Sequence, residues 1–141
     1  MMFSERFPRI GDVYVMNFCG IGSEQRGWRP GLVFQNNIGN MHSPNVIALP
    51  MTSSLKKLGL PTHVLVPASE TGLRTDSLVL CENPQRMSKE NIGKYLTTIP
   101  AKYMRKIAAA SVLSTSAIAF LDPDALLSIW QQAVEFNIRD I

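Results

Sequence analysis

At Pro100 the hydrophobic period of this chain changes. Before it, apolar residues come in short runs bounded by Gly, Pro, Asn and Ser, the pattern of strands joined by turns. After it, Tyr103, Ile107, Ala110, Leu113, Ala117 and Phe120 recur every three or four positions, the helical spacing, while Lys102, Arg105 and Lys106 turn elsewhere. Asp122-Pro123-Asp124 reads as a second helix start, with aspartate at the N-cap and proline at the first helical position. Over 122–136, Leu126, Leu127, Trp130, Ala133 and Val134 then form one apolar stripe. The expected architecture is five to seven short strands followed by two helices: mainly β with α, a small, strongly bent sheet or barrel carrying a C-terminal helical extension.

Within the strand half, residues 13–18 are rich in β-branched and aromatic side chains, with apolar residues at both parities. That strand is expected to be covered on both faces. Residues 19–28 carry three glycines and read as a long connection, and 22–30 as too polar for a core strand. Further strands are expected at 31–35, 45–51, 62–67 and 76–81, the last one central, with 85–87 at an edge and 94–98 after it. Residues 35–40 read as a turn-rich connection, and Asn83-Pro84 as a break, because proline cannot donate to a ladder.

Composition narrows the class. With 141 residues and 45% hydrophobic side chains, the chain suits one globular domain. Residues 1–106 hold thirteen Lys and Arg against seven Asp and Glu, a net +6; residues 107–141 hold one against four, a net −3. A basic body is compatible with a polyanionic partner without requiring one. Cys19 and Cys81 are far apart and lack metal-ligand spacing, so two buried, reduced thiols are expected. No apolar run approaches the roughly 18 residues of a membrane span, and a cytoplasmic protein is expected.

Several ordered blocks carry a resemblance: Gly22-Ser23-Glu24-Gln25 with Arg29-Pro30, Gln35-Asn36-Asn37-Ile38-Gly39-Asn40, Ser43-Pro44, Thr52-Ser53, Leu60-Pro61-Thr62-His63-Val64, and Asp76-Ser77-Leu78-Val79-Leu80-Cys81-Glu82. Across about residues 9–115 the chain resembles the MazF/PemK toxins, and residues 117–141 extend beyond the usual family end. The resemblance implies an SH3-like small β-barrel that forms a homodimer, cleaves single-stranded RNA without metal or cofactor, and is silenced by a cognate antitoxin. It implies that Arg29 and Thr52 are the catalytic pair, and that Glu24, Gln25 and Ser53 line the RNA groove. Ser23, Trp28, Lys56 and Arg86 complete the candidate RNA contacts. Trp28 can stack on a base or pack in a core or dimer contact, and Lys56 can belong to a solvated turn or meet a phosphate. The segment Glu82-Asn83-Pro84-Gln85-Arg86 departs from the family pattern in the spacing of its arginine.

Such cleavage uses the ribose 2′-OH as internal nucleophile, which DNA lacks. A planar guanidinium suits Arg29 to hold two phosphate oxygens and to stay charged, and makes it a poor free base. Proton transfer is therefore expected from Glu24, His63 or water, although a hydrogen-bonded structural histidine is the simpler role for His63. The alternative function is a non-catalytic SH3-like barrel that binds nucleic acid or a partner peptide, since such barrels host many activities. The C-terminal stripe is expected to pack onto the barrel or across a dimer, with an acidic tail in the RNA groove as the sharper form.

Overall fold

The structure, a computed structural model, describes residues 7–20 and 26–138. Seven strands alternate with short helical segments: β1 (Asp12–Cys19), β2 (Arg26–Val33), α1 (Asn37–His42), β3 (Asn45–Thr52), β4 (His63–Val66), α2 (Ala68–Thr71), β5 (Ser77–Leu80), β6 (Gln85–Ser88) and β7 (Ile92–Thr98). Two longer helices close the chain, α3 (Ala101–Leu113) and α4 (Pro123–Glu135), with a 3-10 turn at Ala117–Phe120 between them. The strands pair antiparallel in the order β4-β5-β3-β2-β1-β7, and β6 pairs with the first half of β3. This is a mainly β antiparallel sheet with helices; among the described residues no ladder joins β4 to β7.

Burial on both faces explains the composition of the strands. Val13, Leu32, Leu49, Met51, Val79 and Val66 meet Tyr103, Ile107 and Ala110 of α3 in one core. Tyr14, Met16, Phe18, Val33, Val46 and Ala48 point the other way and meet Met87 and Ile92 in a second. Neighbouring residues on a strand face opposite sides, so Val13 and Tyr14 serve different cores, as the mixed parity of residues 13–18 requires. Gly31 is the tight spot: a side chain there would lie 2.7 Å from Met16 Sδ and 2.8 Å from Phe18 Cζ. Buried Asp12 accepts from Arg9 N–H (2.9 Å), Thr98 Oγ1 (2.8 Å) and Tyr14 OH (3.4 Å), so its charge ties the start of β1 to the end of β7.

The structure differs from several expectations, each for a physical reason. Residues 26–30 are strand, not loop: their backbone pairs with β1 from Pro30↔Val15 to Arg26↔Cys19 while their side chains stay exposed or half-buried, so polarity costs little. Within 35–40 a short helix forms because Asn36 caps it, accepting from Gly39 N–H at 2.9 Å. Buried Asn40 then donates to Gln35 O and Asn37 Oδ1. The helical stripe from Tyr103 does not run unbroken to Phe120: α3 stops at Leu113, and Leu113 and Phe120 are exposed. Cys19 is exposed at the tip of the β1 ladder; Cys81 is buried, and burial pushes its thiol up to about 11. Helix α4 forms with Asp122 as its cap, accepting from Ala125 N–H at 2.8 Å. It contributes no buried residue, so its stripe does not extend the core of this chain.

Candidate active site

The site arises where two paired strands part company. β2 and β3 are in register at Val33↔Ala48, Leu32↔Leu49 and Gly31↔Pro50, and two steps further that register sets Arg29 opposite Thr52. There the ladder has already opened. β2 continues alongside β1, with Arg29 opposite Met16, whereas β3 turns to β5, pairing Met51↔Val79 and Thr52↔Leu78. The gap is a cleft of about 420 Å3, and Arg29, Thr52 and Ser53 line it. Backbone pairing on the outer sides of both strands holds Arg29 within β2 and Thr52 at the end of β3, with Ser53 directly after it.

The loop after α2 forms another wall and supplies Arg74 and Thr75. Gly72 ends α2 in the left-handed region (φ 78), where a side chain would be strained. Its N–H donates to Ala68 O at 3.0 Å, and Ala68 N–H donates to Asp76 Oδ1 at 2.8 Å, closing the loop on itself. Thr97 Oγ1 of β7 donates to Thr71 O at 2.6 Å and pins the loop to the sheet. Arg74 and Thr75 were missed in the sequence because β3–β5 pairing, a long-range contact, brings them to the cleft. The one local signal was Gly72, a turn residue just ahead of a charged and a hydroxylic side chain.

The chemistry of the lining follows from its groups. Thr52 Oγ1 accepts from Ser54 N–H at 3.1 Å, which fixes the hydroxyl and leaves its own proton to donate into the cleft. Arg29 and Arg74 bring two cations, and among the described residues lining the cleft there is no carboxylate. Fixed positive charge and a hydroxyl donor in one concavity suit a phosphodiester.

The other candidates fall elsewhere. Ser23, Glu24 and Gln25 lie outside the described residues. Trp28 precedes Arg29 on β2 and so points to the opposite face; it is 59% exposed, with its ring beside Gly93 of β7. Lys56 sits on the exposed turn after Ser53, outside the lining of this cleft. Arg86 on β6 stands opposite Ile47, at the far end of β3 from Thr52. With the Asn45 amide turned to satisfy both groups, its oxygen accepts from Arg86 Nη2 at 2.8 Å and Nε at 3.2 Å. The half-buried His63 has its side chain covered, with Nε2 2.7 Å from Glu82 Oε2 and Nδ1 3.2 Å from Lys57 O, and it does not line the cleft.

Known proteins share this arrangement of strands. A solved endoribonuclease in complex with its cognate antitoxin, from Mycobacterial species, superposes with a TM-score of 0.63 at 29% identity, over 76% of this chain and 93% of that one. The crystal structure of MazF from Deinococcus radiodurans gives a TM-score of 0.68 at 24% identity, over 83% of this chain and 100% of the other, a likeness of fold. The endoribonuclease EndoA of Bacillus subtilis is 38% identical over 111 residues, 78% of this chain and 96% of its own length. The family described as "PemK-like, MazF-like toxin of type II toxin-antitoxin system" matches residues 9–113, and the chain belongs to it.

Proposed function

We propose that this toxin is an endoribonuclease that cuts single-stranded RNA in the cleft holding Arg29 and Thr52. The observation that carries the reading is the parting of β2 and β3, which leaves two residues of one register on a common cleft. The 2′-OH of the nucleotide at the cut attacks its own phosphorus, forming the 2′,3′-cyclic phosphate and expelling the 5′-oxygen of the next nucleotide, which takes a proton from water and leaves as a 5′-hydroxyl. Arg29 holds the phosphoryl oxygens through parallel N–H bonds as negative charge builds on the phosphorane. The Thr52 hydroxyl donates to one of those oxygens. Glu24, five residues ahead of Arg29, is our choice of proton acceptor from the 2′-OH, and no metal is required. His63 does not take this part, because both ring nitrogens already face protein oxygens.

The bent sheet wraps as an SH3-like barrel over about residues 9–115 of a single domain, with 117–141 as an addition; the support is the double core around β1, β2 and β3. Ser53 contacts RNA within the cleft, Trp28, Lys56 and Arg86 meet it outside, and Ser23 and Gln25 are further RNA contacts. The toxin works as a cytoplasmic homodimer silenced by a cognate antitoxin; the mycobacterial endoribonuclease, solved in complex with its cognate antitoxin, supports the partner. Among the described residues no helix is long and apolar enough to cross a membrane.

Purified protein incubated with a defined RNA pool in EDTA tests the reaction. Expected are cuts at a restricted set of sequences, ends carrying 2′,3′-cyclic phosphate, and an intact DNA pool of the same sequence. Cleavage that needs added magnesium, or that leaves 5′-phosphate ends, would contradict the mechanism.

A further inference from the structure

We infer that Arg74 is a second phosphate anchor, holding a backbone phosphate next to the one that Arg29 grips and so setting the position of the RNA strand in the cleft. The inference rests on the endoribonuclease reading above and adds a residue to it. Arg29 and Arg74 reach one cleft from different elements, the middle of β2 and the loop between α2 and β5. Neither guanidinium has an ion-pair partner among the described residues. Two like charges on one cleft repel, and an anion that lies between them turns that repulsion into attraction to both.

The loop that carries Arg74 is built to hold still. Leu73, next to it, packs against the α3-side core, and its N–H donates to Thr71 Oγ1 at 3.2 Å. Asp76, two residues on, is tied to Ala68 N–H. The backbone on both sides of Arg74 is thus fixed, while the side chain itself is exposed. A charge on a rigid loop at the mouth of a cleft loses little order on binding, which favours a positioning role over a loose electrostatic one. Thr75 beside it adds a hydroxyl to the same wall.

Two measurements on wild type, Arg74→Ala and Arg74→Lys test this. The first is the salt dependence of affinity for an RNA oligonucleotide with a 2′-deoxy sugar at the mapped cut site, which binds without being cut. The second is kcat and KM on the all-ribose strand. Arg74→Ala is expected to weaken binding about tenfold. It should also flatten the slope of log affinity against log salt by about 0.7, the share of one phosphate contact on a single strand. KM should rise in step while kcat changes less than about twofold, and Arg74→Lys should restore the slope. The melting temperature should not move, because the side chain has no protein ion pair to lose. Wild-type affinity and slope in Arg74→Ala, or a loss of kcat at unchanged KM, would overturn the inference. A wild-type protein that does not cut the all-ribose strand would sink the endoribonuclease reading instead, and the same salt titration run on that uncut strand would still decide what Arg74 does.

Discussion

Helices α3 and α4 are each thirteen residues long and each carry an apolar stripe, yet they differ in what they do for the molecule. α3 buries Tyr103, Ile107 and Ala110 against the sheet; α4 buries nothing and leaves Leu126, Leu127, Ile129 and Val134 between 44% and 56% exposed. An isolated helix of that length is marginal in water. Amphipathic spacing therefore tells that a helix has a face to cover, and tertiary contacts decide whether the same chain covers it.

Core substitution should separate the two most sharply. Ile107→Ala removes a side chain with no solvent exposure and is expected to cost about 2–5 kcal/mol in denaturant unfolding. Leu126→Ala on α4 should stay within about 0.5 kcal/mol. A comparable loss at Leu126 would show that α4 is covered in solution and would erase the contrast. Gly31→Ala should rank next, at about 1–3 kcal/mol, because its new methyl meets Met16 and Phe18 between two paired strands. Gly31 also lies two residues from Arg29, so a fall in cleavage larger than the fall in folded fraction would indicate that the cleft had shifted.

Truncation after Phe120 should leave the cleft untouched, since no residue of α4 lines it. Cleavage within about twofold of the full chain is expected. A clear rise would revive the acidic tail as an inhibitor, and a collapse of folding would join α4 to the core. The smallest effect belongs to the surface cluster where α2 meets α3. Hydrogen bonds from Lys102 and Tyr103 hold the Glu70 carboxyl below its usual range, while the bond to Glu70 raises both Lys102 and Tyr103. A lowered carboxylate adds stability above its unfolded pKa and loses it as pH falls through the folded one; the raised pair lose theirs as pH rises through their own raised values. Glu70→Gln should therefore flatten the melting-temperature profile on the acid side of pH 4.5 and above pH 10, by a small amount because the Glu70 and Lys102 side chains are exposed.

Where one core face or two could be read from parity, the strands were legible: β1, β3 and β5 lie close to where residues 13–18, 45–51 and 76–81 put them. Arg26 to Pro30 were not, because a ladder with its side chains toward solvent carries no apolar alternation. α1 was hidden by its length and by a polar network among Gln35, Asn37 and Asn40 that looks in sequence like turn residues. At the site, Arg29 and Thr52 came from ordered motif blocks and fall on one cleft. Arg74 could not be read the same way. In sequence it is a surface charge after a turn, and its neighbours in space are set by where β3 pairs with β5.

The contrast between a committed body and an uncommitted tail is sharpest at the cleft, where the proposed catalytic residues sit on paired strands. Single-turnover cleavage of a mapped RNA by Arg29→Ala and Thr52→Ala, with melting temperatures alongside, tests this most directly. Expected are rates at least about a hundredfold below wild type at an unchanged melting temperature, the scale of losing one transition-state donor. Wild-type rates in either folded variant would contradict the assignment of this cleft as the centre of RNA cleavage.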